Sequence, residues 1–236
     1  MSRRPAMNDF GSKTFAAWRA AAGETWQGYV EHEFVVGLGS GDLPRAAFIA
    51  CLVQDYIYLL HYSRAWALAL VKSDNIGQMR LAAATVNTLI NEEIQLHVGV
   101  CEREGISEQS LLDAEEAAEN VAYTRYVMDA GLSGDLLDLL AALAPCVFGY
   151  AEIGAKLDDC SAAPRLYREW IDCYASADYV AACHAVAELI EQVALAKLGT
   201  DPQANPRWPA LCRSFNTATR LEVDFWSMGI RLGNTA

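Results

Sequence analysis

Residues Leu136–Asp158 read LLDLLAALAPCVFGYAEIGAKLD, and the spacing of their side chains decides the fold. Apolar residues return at three- and four-residue intervals while polar ones gather toward the ends, which predicts a helix buried on nearly every face. Cys146 and Tyr150 are four apart, so a thiol and a phenol stand one above the other on one face. Pro145 lacks an N–H and is expected to bend the helix just before the thiol. A free cysteine usually packs as a small hydrophobe. The stretch alone therefore supports both a core cysteine and a nucleophile.

The whole chain has 236 residues, 53% hydrophobic and 20% charged, which suits one large globular domain or two small ones. No run of about 18 residues is free of charge in the way a bilayer requires. The opening MSRRPAMNDFGSK has two arginines but no following apolar segment, so neither a secretion signal nor a membrane partner is expected. Seven scattered cysteines form no CxxC pair, which fits reduced thiols in the cytoplasm. The net charge of −12, from 18 basic and 30 acidic side chains, repels a phosphate backbone, and no Lys/Arg run offsets it. Nucleic acid is not an expected partner. His32, His61, His97 and His184 are too dispersed to suggest a metal cluster.

Helical periodicity is nearly continuous, and no segment alternates long enough to argue a sheet. A first helix is expected within Asn8–Val35, broken by Gly37–Pro44. Pro44 opens a second helix to about Lys72. Ser73–Asn75 caps a third, Ile76–Glu104. Gly105–Ser107 starts another, whose acidic run DAEEAAEN leads into VAYTRYVMDAG with Gly131 just past its end. Ser133–Asp135 caps the central helix with an acid in its first turn. Ser161–Pro164 links to a helix at Arg165–Ala175, followed by Asp178–Leu198 and Arg207–Leu232. The expectation is a disordered tail over 1–8 and a single all-α domain over 9–236, packed as a helical bundle.

Several polar groups fall on apolar faces. Asp55, Tyr58 and Tyr62 share one stripe of the second helix. A carboxylate there is costly unless it is hydrogen-bonded or protonated, and perturbed carboxylates mark both structural bonds and functional sites. Glu222, Phe225 and Trp226 share a face of the last helix, with Asp224 pointing outward. Desolvation beside two aromatics would raise the Glu222 pKa and suit it to proton donation near neutrality. Tyr123 and Tyr174 are further tyrosines on apolar helices, where packing with a satisfied hydroxyl is the common case.

Five stretches together resemble the TenA family, the thiaminase II proteins of the heme-oxygenase-like superfamily: EHEFVVGLGSGDLP, FIACLVQDYIYLLHYSRAWALA, AYTRYVMDAG, LAPCVFGYAEIGAKL and the E-x-x-F-W of Glu222–Trp226. The similarity runs from about Trp26 to Gly229. It implies hydrolysis of 4-amino-5-aminomethyl-2-methylpyrimidine to the 5-hydroxymethyl compound and ammonia, with slower cleavage of thiamin. It also implies a homotetramer that uses no metal or organic cofactor. By matched position, Cys146 is the nucleophile, Glu222 the acid/base near the leaving amine, and Asp55 the carboxylate on the aminopyrimidine edge. Tyr58, Tyr123, Tyr150 and Tyr174 match tyrosines lining the pocket, and Phe225 an aromatic wall. Two departures stand beside these positions: His32-Glu33-Phe34 replaces a frequent His-Pro-Phe, and Val147 replaces an aromatic after the cysteine.

The residue types suit that chemistry in their own right. One carboxyl group can meet both a ring nitrogen and its neighbouring amine. Addition of a thiolate to the ring divides one high barrier into lower ones, and tyrosine hydroxyls near the sulfur are expected to favour the thiolate. Two rival readings remain. Glu93 and His97, four apart, could ligate iron with help from Asp55 in an oxidase, although too few ligands assemble; otherwise Glu92, Glu93 and His97 are half-exposed pairing residues. A non-catalytic pyrimidine-binding or regulatory protein is the other, but the acidic balance speaks against DNA contact.

Overall fold

A computed structural model describes residues 9–160 and 163–235; the tail 1–8 and part of the Ser161–Pro164 link lie outside the described residues. The chain runs through α1 (Lys13–Ala22), α2 (Glu24–Val30), α3 (Glu33–Ser40), α4 (Arg45–Val71) and α5 (Ile76–Thr88). A π turn (Leu89–Glu93) leads into α6 (Ile94–Arg103), followed by α7 (Glu108–Leu112), α8 (Ala118–Ser133) and α9 (Leu136–Leu157). The last helices are α10 (Arg165–Tyr174), α11 (Ala177–Leu198) and α12 (Trp208–Gly233). No strand occurs among the described residues.

Helix α9 is the centre, as its apolar pattern predicts. It runs unbroken through Pro145, and nearly all its side chains are buried. Its start is fixed by a capping box: Asp135 accepts from Leu137 N at 2.9 Å, and Asp138 accepts from Asp135 N at 2.8 Å. Arg207 reaches both carboxylates at 2.9 and 2.8 Å, which ties the start of α9 to the segment leading into α12. By length and hydropathy α9 could cross a membrane, as could the stretch Arg165–Leu198 that contains α10 and α11. The charge criterion applied to the sequence overlooked both. In α9, 89% of the most apolar window is buried inside the bundle, so its hydrophobicity is that of a core helix.

Helix α12 lies along both α4 and α9, so the three helices bearing Asp55, Cys146 and Glu222 are packed on one another. Helix α8 is locked to α4 by Gln54, whose amide donates to Glu115 O and accepts from Ala117 N, both at 2.9 Å. Ala117 is the N-cap of α8 and has no side chain to offer the first turn; Gln54 replaces the missing cap. Asn120 then donates to Gln54 O at 2.8 Å, which brings Tyr123, one turn on, against α4.

Five boundaries differ from expectation. The first 35 residues form two helices and the start of a third, because Gly23 adopts φ +49° and His32 turns extended, its ring nitrogen accepting from Phe34 N at 3.2 Å. Helix α3 also continues through Gly37 to Ser40 and stops only at the left-handed Gly41. The run 76–104 is helical but takes a π turn at Leu89–Glu93. The acidic run leading into α8 is non-helical over 113–117. Gly131 lies inside α8, packed against Leu68 and Leu139, and the cap is Gly134.

Close approach decides one further glycine. A Cβ on Gly154 of α9 would stand 2.5 Å from the backbone carbon of Tyr174 at the end of α10. Backbone cannot swing aside, so Gly154→Ala is expected to destabilise the fold by about 1–3 kcal/mol and to displace Tyr174. Urea unfolding midpoints of the two proteins measure it.

Candidate active site

Asp55 and Tyr58 come from α4, Tyr123 from α8, Cys146 and Tyr150 from α9, Tyr174 from α10, and Glu222 and Phe225 from α12. All are buried, and the structure brings all of them together. Tyr58 packs against Tyr123 and Phe225, with ring centroids 5.0 and 5.7 Å apart. Tyr150 packs against Tyr174 at 4.8 Å and Trp226 at 5.5 Å. Tyr123 donates to Glu222 Oε1 at 2.8 Å. Asp224, on the opposite face of α12, is exposed, as its spacing predicts.

Burial sets the protonation of this cluster. It raises the Glu222 pKa to about 8, against the hydrogen bond from Tyr123, with the Asp55 charge adding to the rise. Glu222 is therefore a neutral acid at pH 7. The Tyr29 hydroxyl of α2 also approaches Glu222 closely enough to favour its carboxylate, although it makes no hydrogen bond of ordinary geometry. Burial likewise pushes the Cys146 thiol well above its usual range, and the charges of Glu222, Glu93 and Asp55 push the same way. Tyr58 opposes them, again without an ordinary hydrogen bond. Tyr58 favours the thiolate, as expected of a nearby phenol, but it does not outweigh desolvation and three carboxyl groups, so Cys146 rests as a thiol.

The pairing role expected for Glu93 and His97 holds. Glu92 is exposed and Glu93 half-buried, but His97 is only 1% exposed, against expectation. Its Nε2 lies 2.8 Å from Asp55 Oδ2 and its Nδ1 2.8 Å from the Glu93 carbonyl oxygen. Tyr174 donates to Glu93 Oε1 at 2.6 Å. Burial lowers the His97 pKa, but the Asp55 charge and hydrogen bond outweigh it, and the net shift is upward. Both ring nitrogens are occupied, so His97 has no free lone pair for iron, and no three metal-binding side chains converge among the described residues. With Oδ2 of Asp55 engaged, the carboxyl group does not offer two equivalent oxygens to a ring edge.

Sequence reasoning missed Tyr29, Tyr62, Glu93 and His97 as members of the cluster. Tyr62 bonds the Leu143 carbonyl at 3.1 Å and faces the Cys146 sulfur; its place on the Asp55 stripe was the available signal. The narrow groove between Tyr58, His61, Tyr62, Thr124 and Val127 leaves no room for a water molecule. A wider surface cleft of about 420 Å³ lies at Arg19–Gln27. Cys146 lines neither.

Comparison with known proteins follows the same residues. The TENA/THI-4/PQQC family matches positions 19–232. A solved structure from Silicibacter sp. TM1040, described as a TenA family transcription regulator, is 53% identical with a TM-score of 0.91, covering 95% of this chain and 99% of that one. A protein of Haemophilus influenzae is 42% identical over 88% of this chain and 94% of its own length. The aminopyrimidine aminohydrolase of Halalkalibacterium halodurans is 35% identical over 86% of this chain and 89% of its own.

Proposed function

The chain belongs to the TENA/THI-4/PQQC family, with the all-α heme-oxygenase-like fold of its TenA members, and from that premise we propose that it is a thiamin-salvage hydrolase of aminopyrimidines. Its substrate is 4-amino-5-aminomethyl-2-methylpyrimidine, and thiamin is a slower one at the same site. The observation that carries this reading is the meeting of Cys146, Asp55 and Glu222, from three distant parts of the chain, in one buried electrostatic cluster walled by aromatic rings.

The chemistry follows from the protonation states. Cys146 adds across a ring C=N bond: the S–C bond forms and the thiol proton passes to the ring nitrogen. Glu222, neutral at pH 7, protonates the aminomethyl nitrogen as electrons from the ring expel it as ammonia. Water then adds to the exposed methylene carbon and gives its proton to the Glu222 carboxylate. Cleavage of the S–C bond restores the thiol and the aromatic ring. Asp55 fixes the ring edge, while Tyr58, Tyr123, Tyr150, Tyr174 and Phe225 enclose it and exclude solvent.

Incubation of the purified protein with the aminomethylpyrimidine tests this directly. Ammonia and hydroxymethylpyrimidine should appear in equal amounts. Binding of the pyrimidine without ammonia release would make the chain a binding protein and overturn the hydrolase reading. The pH profile gives a second check. Glu222 must be protonated, so kcat/KM falls as pH rises through about 8, and Glu222→Gln loses that limb together with most turnover. The same reading carries a cytoplasmic homotetramer, and exposed Val71, Ile76, Leu132 and Leu195 supply apolar surface for such contacts. Light scattering measures its mass.

A further inference from the structure

The ring of His97 is held from both sides. A carbonyl oxygen only accepts, so Nδ1, 2.8 Å from Glu93 O, carries a hydrogen. In a neutral ring Nε2 would then be a bare lone pair, 2.8 Å from a carboxylate oxygen. Two lone pairs do not close to that distance, so one further proton lies between Nε2 and Oδ2. The unit Glu93 O–His97–Asp55 therefore has a fixed hydrogen-bond direction and leaves neither ring nitrogen free for a third partner.

The π turn at Leu89–Glu93 supplies the backbone for this unit. Such turns interrupt the regular helix and concentrate at functional sites. Here the same residue, Glu93, gives its carbonyl oxygen to His97 and its carboxylate to the Tyr174 hydroxyl. One segment thus fixes a carboxylate on α4 and a phenol on α10.

We propose that His97 is a positioning residue: its protonated Nε2 pins Oδ2 of Asp55, so that Oδ1 is the oxygen presented to an N–H donor on the edge of an aminoheterocycle. His97 acts through Asp55. The inference rests on the reading of Asp55 as the ring-binding carboxylate, and it narrows that contact to one oxygen accepting from the exocyclic amine.

Two measurements test it. In protein with ¹⁵N-labelled histidine, His97 should show two protonated nitrogens at pH 7 and a strongly downfield Nε2 proton that disappears in Asp55→Asn. A singly protonated His97 would overturn the proposal whether or not the protein turns over pyrimidines. The second is calorimetric binding of the hydroxymethylpyrimidine, with steady-state kinetics beside it. His97→Gln keeps a neutral donor and should weaken binding and raise KM by about tenfold with kcat little changed. His97→Leu removes the donor and should cost about a hundredfold or more in the same two quantities. A purely structural histidine would lower the melting temperature in both variants without splitting KM from kcat and without the partial rescue by glutamine. Unchanged affinity in a folded His97→Leu protein would also sink the proposal. Absence of ammonia release by the wild type, with the downfield proton and the affinity pattern intact, would refute the hydrolase reading alone.

Discussion

Cys146→Ser lowers ammonia release by about a thousandfold or more while the protein remains folded. The substitution is nearly isosteric, and Cys146 is only 7% exposed, so the packing of α9 against α12 is preserved. The change in unfolding free energy is expected to stay within about 1 kcal/mol. The loss is chemical: a serine hydroxyl adds to a heteroaromatic ring far less readily than sulfur, and nothing beside residue 146 acts as a strong base toward it. The nearest charged groups are carboxyl groups, one of them already protonated at neutral pH. Retained pyrimidine binding beside lost turnover would place the defect in the bond-forming step. Wild-type rates in this variant would remove the covalent route.

Asp55→Ala carries the second large effect, on binding and stability together. Pyrimidine affinity should become unmeasurable, since the carboxylate that meets the ring edge is gone. The fold should also weaken by about 3 kcal/mol at pH 6, because a buried imidazolium loses its partner. The sign of the pH dependence follows from His97. In the wild type its pKa is raised above the usual value by Asp55, so the pair stabilises the fold fully below about pH 6.5 and loses that contribution as pH rises through the folded value. Without Asp55, burial is opposed only by the Glu93 carbonyl and carboxyl group, so the His97 pKa falls and the variant is worst at low pH. Urea unfolding at pH 6 and pH 8.5 should show the gap between wild type and variant narrow as pH rises. A gap of constant size would mean that His97 carries no charge in the fold.

The central helix and the polar stripe of α4 were legible because both are single-helix patterns. Nearly every residue from Leu136 to Leu157 is buried, and the i, i+3, i+7 spacing of Asp55, Tyr58 and Tyr62 needs no partner to be seen. The Glu222 face was legible for the same reason, and its raised pKa follows from the aromatics beside it. What escaped reading depends on contacts between helices. Glu93 and His97 appear in sequence as two polar residues on an ordinary amphipathic helix; only the approach of α4 and α10 shows that one serves Asp55 and the other Tyr174. The early helix boundaries escaped because GETWQGYVEHEFV has unbroken apolar periodicity, while one glycine at positive φ and one extended histidine redirect the chain twice. The thiol's protonation escaped because it is a sum over four helices.

The interruption between α5 and α6 sets the angular phase of everything after it. An α-helix advances about 100° per residue, and a π turn winds one residue more into its loop than an α turn does. Rewinding Leu89–Glu93 as regular α-helix, with the same residues, would swing the α6 side chains about a quarter-turn around the helix axis relative to α5. His97 would then face a different neighbour, while the outer face of α5 would keep its place. The two halves of this rod are clocked separately, and a single backbone residue sets the offset between them.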